Sequence, residues 1–473
     1  MREFLKEPLN RICLVTVVVV SCFKLWAMTL FPITCDESYY WLWQQHLALS
    51  YVDHPPLIAW FNKFVGLFGQ YALFHYRLAG LLVALLATYF IYLTGRTLFN
   101  QKVGVIAATF FQLVPHYILI WLTVTIDNLL ALGWIISLYF VARISKEGKG
   151  SDWYWLGLAF GLGLLSKYTM AFFLLPLLLF LLLPENRHWF KRPEPYLAFC
   201  LSFCLFLPVL FWNSQHHWLS FTFHAGRLGK TDPLNNLLSL LADQLVHFTP
   251  FLFLGLLIYC RQLWQKSRLL FIFALVPLLI FAGFTSLIKV WAHWVIVYQF
   301  AALIGVALLV SQNERTIKRM IISLWLFALL AVALILFGSP MVLPRQALYQ
   351  RNYQLAEAYR SVPPGTYVIT PYLGSSSQLS FYAHRQTYMA DGLLKLEENG
   401  FGKIQYLRWG YPALKPGDNV IYYGKNDEPT RALLRQLFVR VEIDPALKFY
   451  VIESYLDDLV PYYCRGLKGA VRL

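Results

Sequence analysis

Twelve side chains that can move protons or hold ions fall between the long apolar stretches of the chain. They are Asp36, Glu37, Asp53, His54, Asp127, Lys167, His216, His217, His224, Arg227, Lys289 and His293. Carboxylates and imidazoles can serve as acids or bases, lysine and arginine hold anions, and aspartate with histidine can ligate a cation. Ionisable groups at membrane ends are costly unless paired or hydrated, and so default to a functional role. These twelve come from distant segments but share one side of the apolar stretches, which predicts one cavity near that surface. Each also has a plainer role. Asp36 and Glu37 could cap a helix, and Asp127, at a helix start, is as well placed for an N-cap as for contact with a substrate. Lys167 could snorkel to the interface, His216 and His217 could be loop residues, and Lys289, flanked by Trp291 and Trp294, could be an interfacial anchor. Lys24, inside the first apolar stretch, has no assigned role.

The elements that must position these groups follow from composition. Of 473 residues, 58% are hydrophobic and 14% charged, and the mean hydropathy is +0.52. Soluble domains run near 45–50% and about 25%. The apolar excess lies in residues 1–338, the proposed membrane domain, whereas 339–473 has an ordinary composition. Ile12–Phe31 is too long for a signal h-region and lacks a small-residue cleavage site, so it reads as an uncleaved span. Further spans are expected near 76–95, 103–122, 127–143, 153–168, 169–184, 196–212, 240–260, 269–288, 290–311 and 319–338. The total is eleven, although 153–184 could be two short spans or one broken helix. With Met1 in the cytoplasm, the loops on that side hold 17 Lys and Arg, against six on the other. That bias places the N-terminus inside and the tail outside the cytoplasm. The net charge of +15 is thereby explained, and no basic run interleaved with stacking aromatics points to nucleic acid. Five of the seven cysteines lie in apolar stretches; a Cys35–Cys464 bridge is conceivable, but no spacing supports it.

The first outer loop, Pro32 to His75, is the longest. Helical spacing over 37–48 puts Tyr40, Trp43 and Leu47 on one face, and a second apolar-aromatic helix follows from Leu57 to about Phe68. Both are too short to span and suit helices lying in the interface plane. Asp36 and Glu37 sit where unpaired N–H groups at a helix start favour negative charge. A cap explains one carboxylate but not the return of Asp53 and His54.

The segments DESYY and YVDHPPL, followed by TIDNLLAL, GLGLLSKYT, WNSQHHWLSFTFHAGRL and SLIKVWAHW, resemble the protein-O-mannosyltransferase/aminoarabinose-transferase superfamily over about residues 10–310. These are GT-C membrane glycosyltransferases that use polyprenyl-phosphate-linked sugars, and the bacterial members are called glycosyltransferase family 39-like. The resemblance implies a polytopic α-helical membrane protein acting as an inverting glycosyltransferase. Its donor would be a polyprenyl-phosphate sugar and its acceptor extracytoplasmic: lipid A, lipopolysaccharide core, another glycolipid or a protein hydroxyl. It implies a catalytic carboxylate at Asp36, assisted by Glu37 or with Glu37 fixing the loop. The aminoarabinose transferases have Glu-Lys-Pro-Pro where this chain has Asp53-His54-Pro55-Pro56, and that lysine contacts the lipid phosphate. His54 therefore departs from the pattern: it could bind phosphate, ligate a cation with Asp53, or shape the turn. Charge builds on the departing phosphate as the sugar leaves, and fixed cations stabilise it. Lys289 and Arg227 are the first candidates for that task, with His54 and Lys167 behind them. Tyr39, Asp53, Asp127, His217 and His293 are candidate contacts to donor or acceptor sugar. Mannosyltransferase relatives work without a catalytic metal, so none is expected, and a divalent cation at Asp53 and His54 is the disfavoured alternative.

The tail shows short β-branched or aromatic runs at Tyr367–Thr370, Val420–Tyr423 and Phe449–Ile452, and helical segments at 345–360, 376–384 and 428–438. A small extracytoplasmic α/β domain over 339–473 is expected, with no phosphate-binding glycine loop and no catalysis of its own. It could cover the cavity or help choose the acceptor. The competing function class is a transporter or flippase of lipid-linked glycans, but no internal repeat is visible. No Asn-x-Ser/Thr sequon occurs, which favours a bacterial inner membrane over the endoplasmic reticulum.

Overall fold

A computed structural model describes residues 6–226, 229, 232–334, 365–370, 373–389, 405, 409, 413–425, 427–443, 449–450, 458–468 and 471–472. The chain divides into two compact units. The first comprises 1–28, 49–58 and 77–338, and the second 29–48, 59–76 and 339–473. The cut at 338/339 is where composition changes. The grouping of most of the first outer loop with the tail has no counterpart in composition.

Among the described residues of the first unit, five helices are long and apolar enough to cross a bilayer: Pro8–Ala27, Leu73–Leu98, Ile126–Glu147, Glu194–Gln215 and Glu314–Ala333. Helices Pro233–His247 and Pro250–Ile258 would make a sixth span, bent by 116°. Shorter apolar helices cover 168–181, 268–284 and 296–310. Each of the eleven expected segments thus contains helix, but eleven uninterrupted spans are not what forms. Pro115 lacks the N–H needed to continue a helix, so 103–122 divides into Gln101–Leu113 and Pro115–Ile120. Helix Ser151–Ser166 stops at Lys167, whose backbone is extended (φ −153°), and the chain resumes as a 3-10 turn over Tyr168–Phe173. The 240–260 segment bends at Thr249, which takes a positive φ of 71°. Apolar side chains such as Val15, Val18, Phe199, Phe211, Leu326 and Leu330 remain exposed on these helices, as lipid-facing stripes require.

Small residues set the closest helix approaches. Helix Ser151–Ser166 packs between Ile126–Glu147 and Glu194–Gln215. A Cβ on Gly133 would sit 2.9 Å from the Gly163 Cα at the first contact, and one on Gly157 would sit 2.5 Å from the carbonyl oxygen of Ala198. Alanine is the better helix former by about 1 kcal/mol, yet here the obstacle is backbone. Gly157→Ala is therefore expected to destabilise the unit by about 1–3 kcal/mol, read as a lower Tm in detergent; a raised Tm would show that the helices can part. Deeper in, Gln299 donates to Gln244 (2.9 Å), and Tyr298 to the same oxygen (3.0 Å), while Tyr117 donates to Gln299 (2.7 Å). This buried network joins three helices through satisfied polar groups.

The second unit contains a mixed sheet. Its strands are β1 (Tyr367–Thr370), β2 (Tyr388–Met389), β4 (Val420–Lys425), β5 (Phe438–Ile443), β6 (Phe449–Tyr450) and β7 (Asp458–Leu467); β3 (Ala413–Leu414) and β8 (Val471–Arg472) pair separately. The order is β2-β1-β4-β7-β5, with β6 also on β7. β1 runs parallel to β2 and β4, and β7 antiparallel to β4, β5 and β6. Ile369, Val420, Tyr422, Leu434, Phe438 and Tyr462 form the core. Among the described residues, the helices Leu373–Ala383 and Glu428–Leu437 belong to this unit's tail; the helix expected at 345–360 lies outside the described residues.

The first-loop helix Cys35–Trp43 does not lie exposed in an interface plane. Every residue of it except Asp36 is buried, and it packs against helix Leu373–Ala383. It ends before Leu47. The second loop helix, Leu57–Gly66, and the turn after it expose Phe64, Leu67 and Phe68, as an interfacial segment would. All seven cysteines are thiols rather than disulfides, so Cys35 and Cys464 form no bridge.

Candidate functional site

In the first unit, the DHPP turn is held by the segment that follows helix Glu194–Gln215. Asn213 accepts from the Ser220 N–H (3.1 Å), and the Ser220 hydroxyl donates to the Tyr51 carbonyl (2.8 Å). His224 Nε2 donates to the Asp53 carbonyl at 2.7 Å, which fixes the proton on that nitrogen. The Tyr51 N–H donates to the His54 carbonyl (3.2 Å), closing the turn. Asp53 is fully buried, and the His54 ring lies 5.9 Å from that of His224.

His54 opens onto a cavity of about 440 Å³ that Lys167 and Lys289 also line. Phe172, Phe281, Phe284, Ile288, Trp291 and Trp294 supply apolar wall, with Tyr168 and Phe221. The Lys289 ammonium sits 4.4 Å above the Trp291 ring and Lys167 Nζ 5.7 Å from Trp294, both in cation–π reach. A cavity with positive groups on a hydrocarbon and aromatic body suits an anionic head carrying an apolar tail.

Lys167 is not a snorkelling anchor. It is buried and donates to Asp127 Oδ1 at 2.7 Å, with Asp127 nearly as buried. Nor does Asp127 cap its helix, because Thr125 and Asn128 form the capping box. His293, in the Ala292–Trp294 turn, lies within electrostatic reach of Asp127 and Lys167. His217 is elsewhere: it is exposed, at φ 53°, in the turn after helix Glu194–Gln215. Arg227 lies outside the described residues. Among the described residues no three His, Cys, Asp or Glu side chains converge to hold a metal ion.

Asp36, Glu37 and Tyr39 belong to the second unit. Thr34 is the N-cap: its hydroxyl accepts from the Glu37 N–H (3.2 Å) while Glu37 accepts from the Thr34 N–H (3.0 Å). Glu37 is thus committed to the helix start. Asp36, one residue earlier, points to the exposed side. Tyr39 packs in an aromatic cluster with Trp43 (5.3 Å) and Trp409 (6.3 Å). His46 stacks on Trp409, and burial pushes its imidazole below the usual histidine range. Sequence reasoning passed over Tyr168, although it lies in the quoted GLGLLSKYT, and gave His224 no role of its own. It had no local signal for the tail residues that hold the Asp36 helix.

The family described as dolichyl-phosphate-mannose-protein mannosyltransferase matches residues 53–212. That stretch holds the DHPP turn, Asp127 and Lys167. The lipid A galacturonosyltransferase RgtD of Rhizobium johnstonii is 28% identical over 208 residues, 42% of this chain and 43% of that protein. The match therefore spans less than half of that relative. ArnT of Cupriavidus metallidurans in the apo state aligns over 95% of this chain and 97% of its own, with a TM-score of 0.68 and 14% identity. The fold is that of ArnT over nearly the whole of both chains. ArnT bound to undecaprenyl phosphate gives a TM-score of 0.66 at 15% identity, over 95% of this chain and 97% of its own. The Archaeoglobus fulgidus oligosaccharyltransferase gives 0.52 at 14% identity, over 86% of this chain and 69% of its own. The family match begins at Asp53 and leaves the Asp36–Glu37 pair outside it.

Proposed function

We propose that this chain is a GT-C glycosyltransferase that transfers a sugar from a polyprenyl-phosphate donor to an extracytoplasmic acceptor, with inversion at the anomeric carbon. The observation that carries the reading is the cavity shared by His54, Lys167 and Lys289. Its cations suit a phosphate and its aromatic walls suit an isoprenoid. An ArnT chain of like fold has been solved with undecaprenyl phosphate, which supports the donor class. The partial relative that modifies lipid A favours lipid A or another glycolipid as acceptor. Lys167 already serves Asp127, so Lys289, joined by Arg227, is the principal phosphate ligand, and His54 borders the site. Asp36 is the base toward the acceptor hydroxyl, and Glu37 fixes its helix. Asp53, Asp127 and His293 shape the donor side, and Tyr39 and His217 remain candidate sugar contacts. The apolar segments cross a bacterial inner membrane with the N-terminus cytoplasmic and the tail periplasmic, consistent with the loop charge bias.

Titrating undecaprenyl phosphate into the purified chain tests the cavity. Lys289→Ala is expected to weaken binding about tenfold or more, as loss of a charge-assisted contact does. Equal affinities would remove Lys289 from the phosphate site. Profiling envelope glycans with and without the gene names the sugar and its attachment point; an unchanged profile would sink the transferase reading.

A further inference from the structure

Helix Leu373–Ala383 carries Ser375, Ser376, Ser377, Gln378 and Ser380, all at most 1% exposed. Burying so many polar side chains is unfavourable unless each is hydrogen-bonded, and their partners fall in two groups. Ser375 bonds to Thr370, and Ser376 and Ser380 to Thr387, which tie the helix to the ends of β1 and β2. The rest face the Asp36 helix. Gln378 Nε2 donates to the Ile33 carbonyl at 3.0 Å, and the Ile33 N–H donates to the Tyr382 hydroxyl at 2.9 Å. Ser377 and Ser38 share a 2.7 Å hydroxyl contact, and Phe381 packs edge-on to Trp41 at 5.1 Å.

Both backbone groups of Ile33, the residue before the N-cap, are therefore fixed by side chains more than 340 positions away. Ser38, two residues after Asp36, is fixed by a third. We propose that Gln378, Tyr382 and Ser377 are positioning residues for the transfer reaction: they set the start of the Asp36 helix, and with it the direction of the Asp36 carboxylate. The tail domain is then part of the catalytic apparatus through this helix, without touching substrate itself. A tail that only covered a cavity or chose an acceptor would have no need to grip both peptide groups beside the N-cap.

The inference rests on the reading of Asp36 as base, and the experiment separates the two. The purified full chain is assayed with undecaprenyl phosphate carrying the sugar that envelope profiling identifies. Tyr382→Phe and Gln378→Leu are expected to lower kcat by about 10- to 100-fold, the scale of an ångström-sized misplacement, with donor KM and undecaprenyl phosphate affinity unchanged. Ser377→Ala, which removes one hydroxyl and little volume, should lower kcat in the same direction. A purely structural role would reduce the yield of folded protein or its Tm while the folded fraction kept wild-type kcat, and that result overturns the proposal. If instead Asp36→Asn transfers at the wild-type rate, the reading of Asp36 falls, whatever the tail variants do.

Discussion

Asp36→Asn is expected to reduce sugar transfer by about 10²–10⁴-fold, the usual worth of a positioned general base, while the protein folds and binds undecaprenyl phosphate as before. The local structure makes the substitution clean. Asp36 occupies the first turn of its helix on the exposed side, and the capping box runs through Thr34 and Glu37 instead. An amide at position 36 therefore leaves the Thr34–Glu37 capping box in place and removes the carboxylate charge. The measurement is turnover of the purified variant alongside its melting curve. Wild-type turnover would leave the chain without its proposed base. Lost lipid translocation with unchanged transfer would favour a flippase.

The largest effect on stability is expected at the Asp127–Lys167 pair. Both groups are buried, at 2.7 Å, and Asp127 also sits in the first turn of its helix, where negative charge is favoured. Removing one partner leaves an uncompensated charge in a poorly solvated interior, which costs about 3–5 kcal/mol. Lys167→Met and Asp127→Leu should each lower Tm sharply. The double substitution, which buries no charge, should recover most of the loss. Single variants that melt like the wild type would show the pair to be hydrated and of little structural weight. Comparing the double variant with Lys289→Ala for undecaprenyl phosphate binding then separates what Lys167 does for the fold from what it does for the cavity.

How far the residues announced this arrangement depended on whether the signal was local. Apolar runs located the membrane helices, and the DHPP turn and the later motifs of 167–294 led to one cavity because each reads within a few residues. Breaks were harder. Pro115 is visible as a helix stop, but nothing about Thr249 signals a left-handed backbone, because its strain is held by packing around it. The Asp127–Lys167 pair was not legible because an ion pair across 40 positions looks, in sequence, like a lone lysine at a membrane edge. The burial of the Asp36 helix was not legible for a similar reason: its aromatic residues suggest an exposed apolar surface, whereas a serine-rich helix far along the chain packs against it. That later helix reads as solvent-facing by composition, since serine and glutamine are seldom buried.

The link between Ile33 and Tyr382, 349 positions apart, also orders events during synthesis. At roughly 5–20 residues per second, the ribosome finishes the Asp36 segment tens of seconds before residues 373–383 emerge to receive it. Through that interval the tryptophan- and tyrosine-rich helix lacks the side chains that bury it in the finished protein, so the setting of Asp36 is completed only when almost the whole chain has been made.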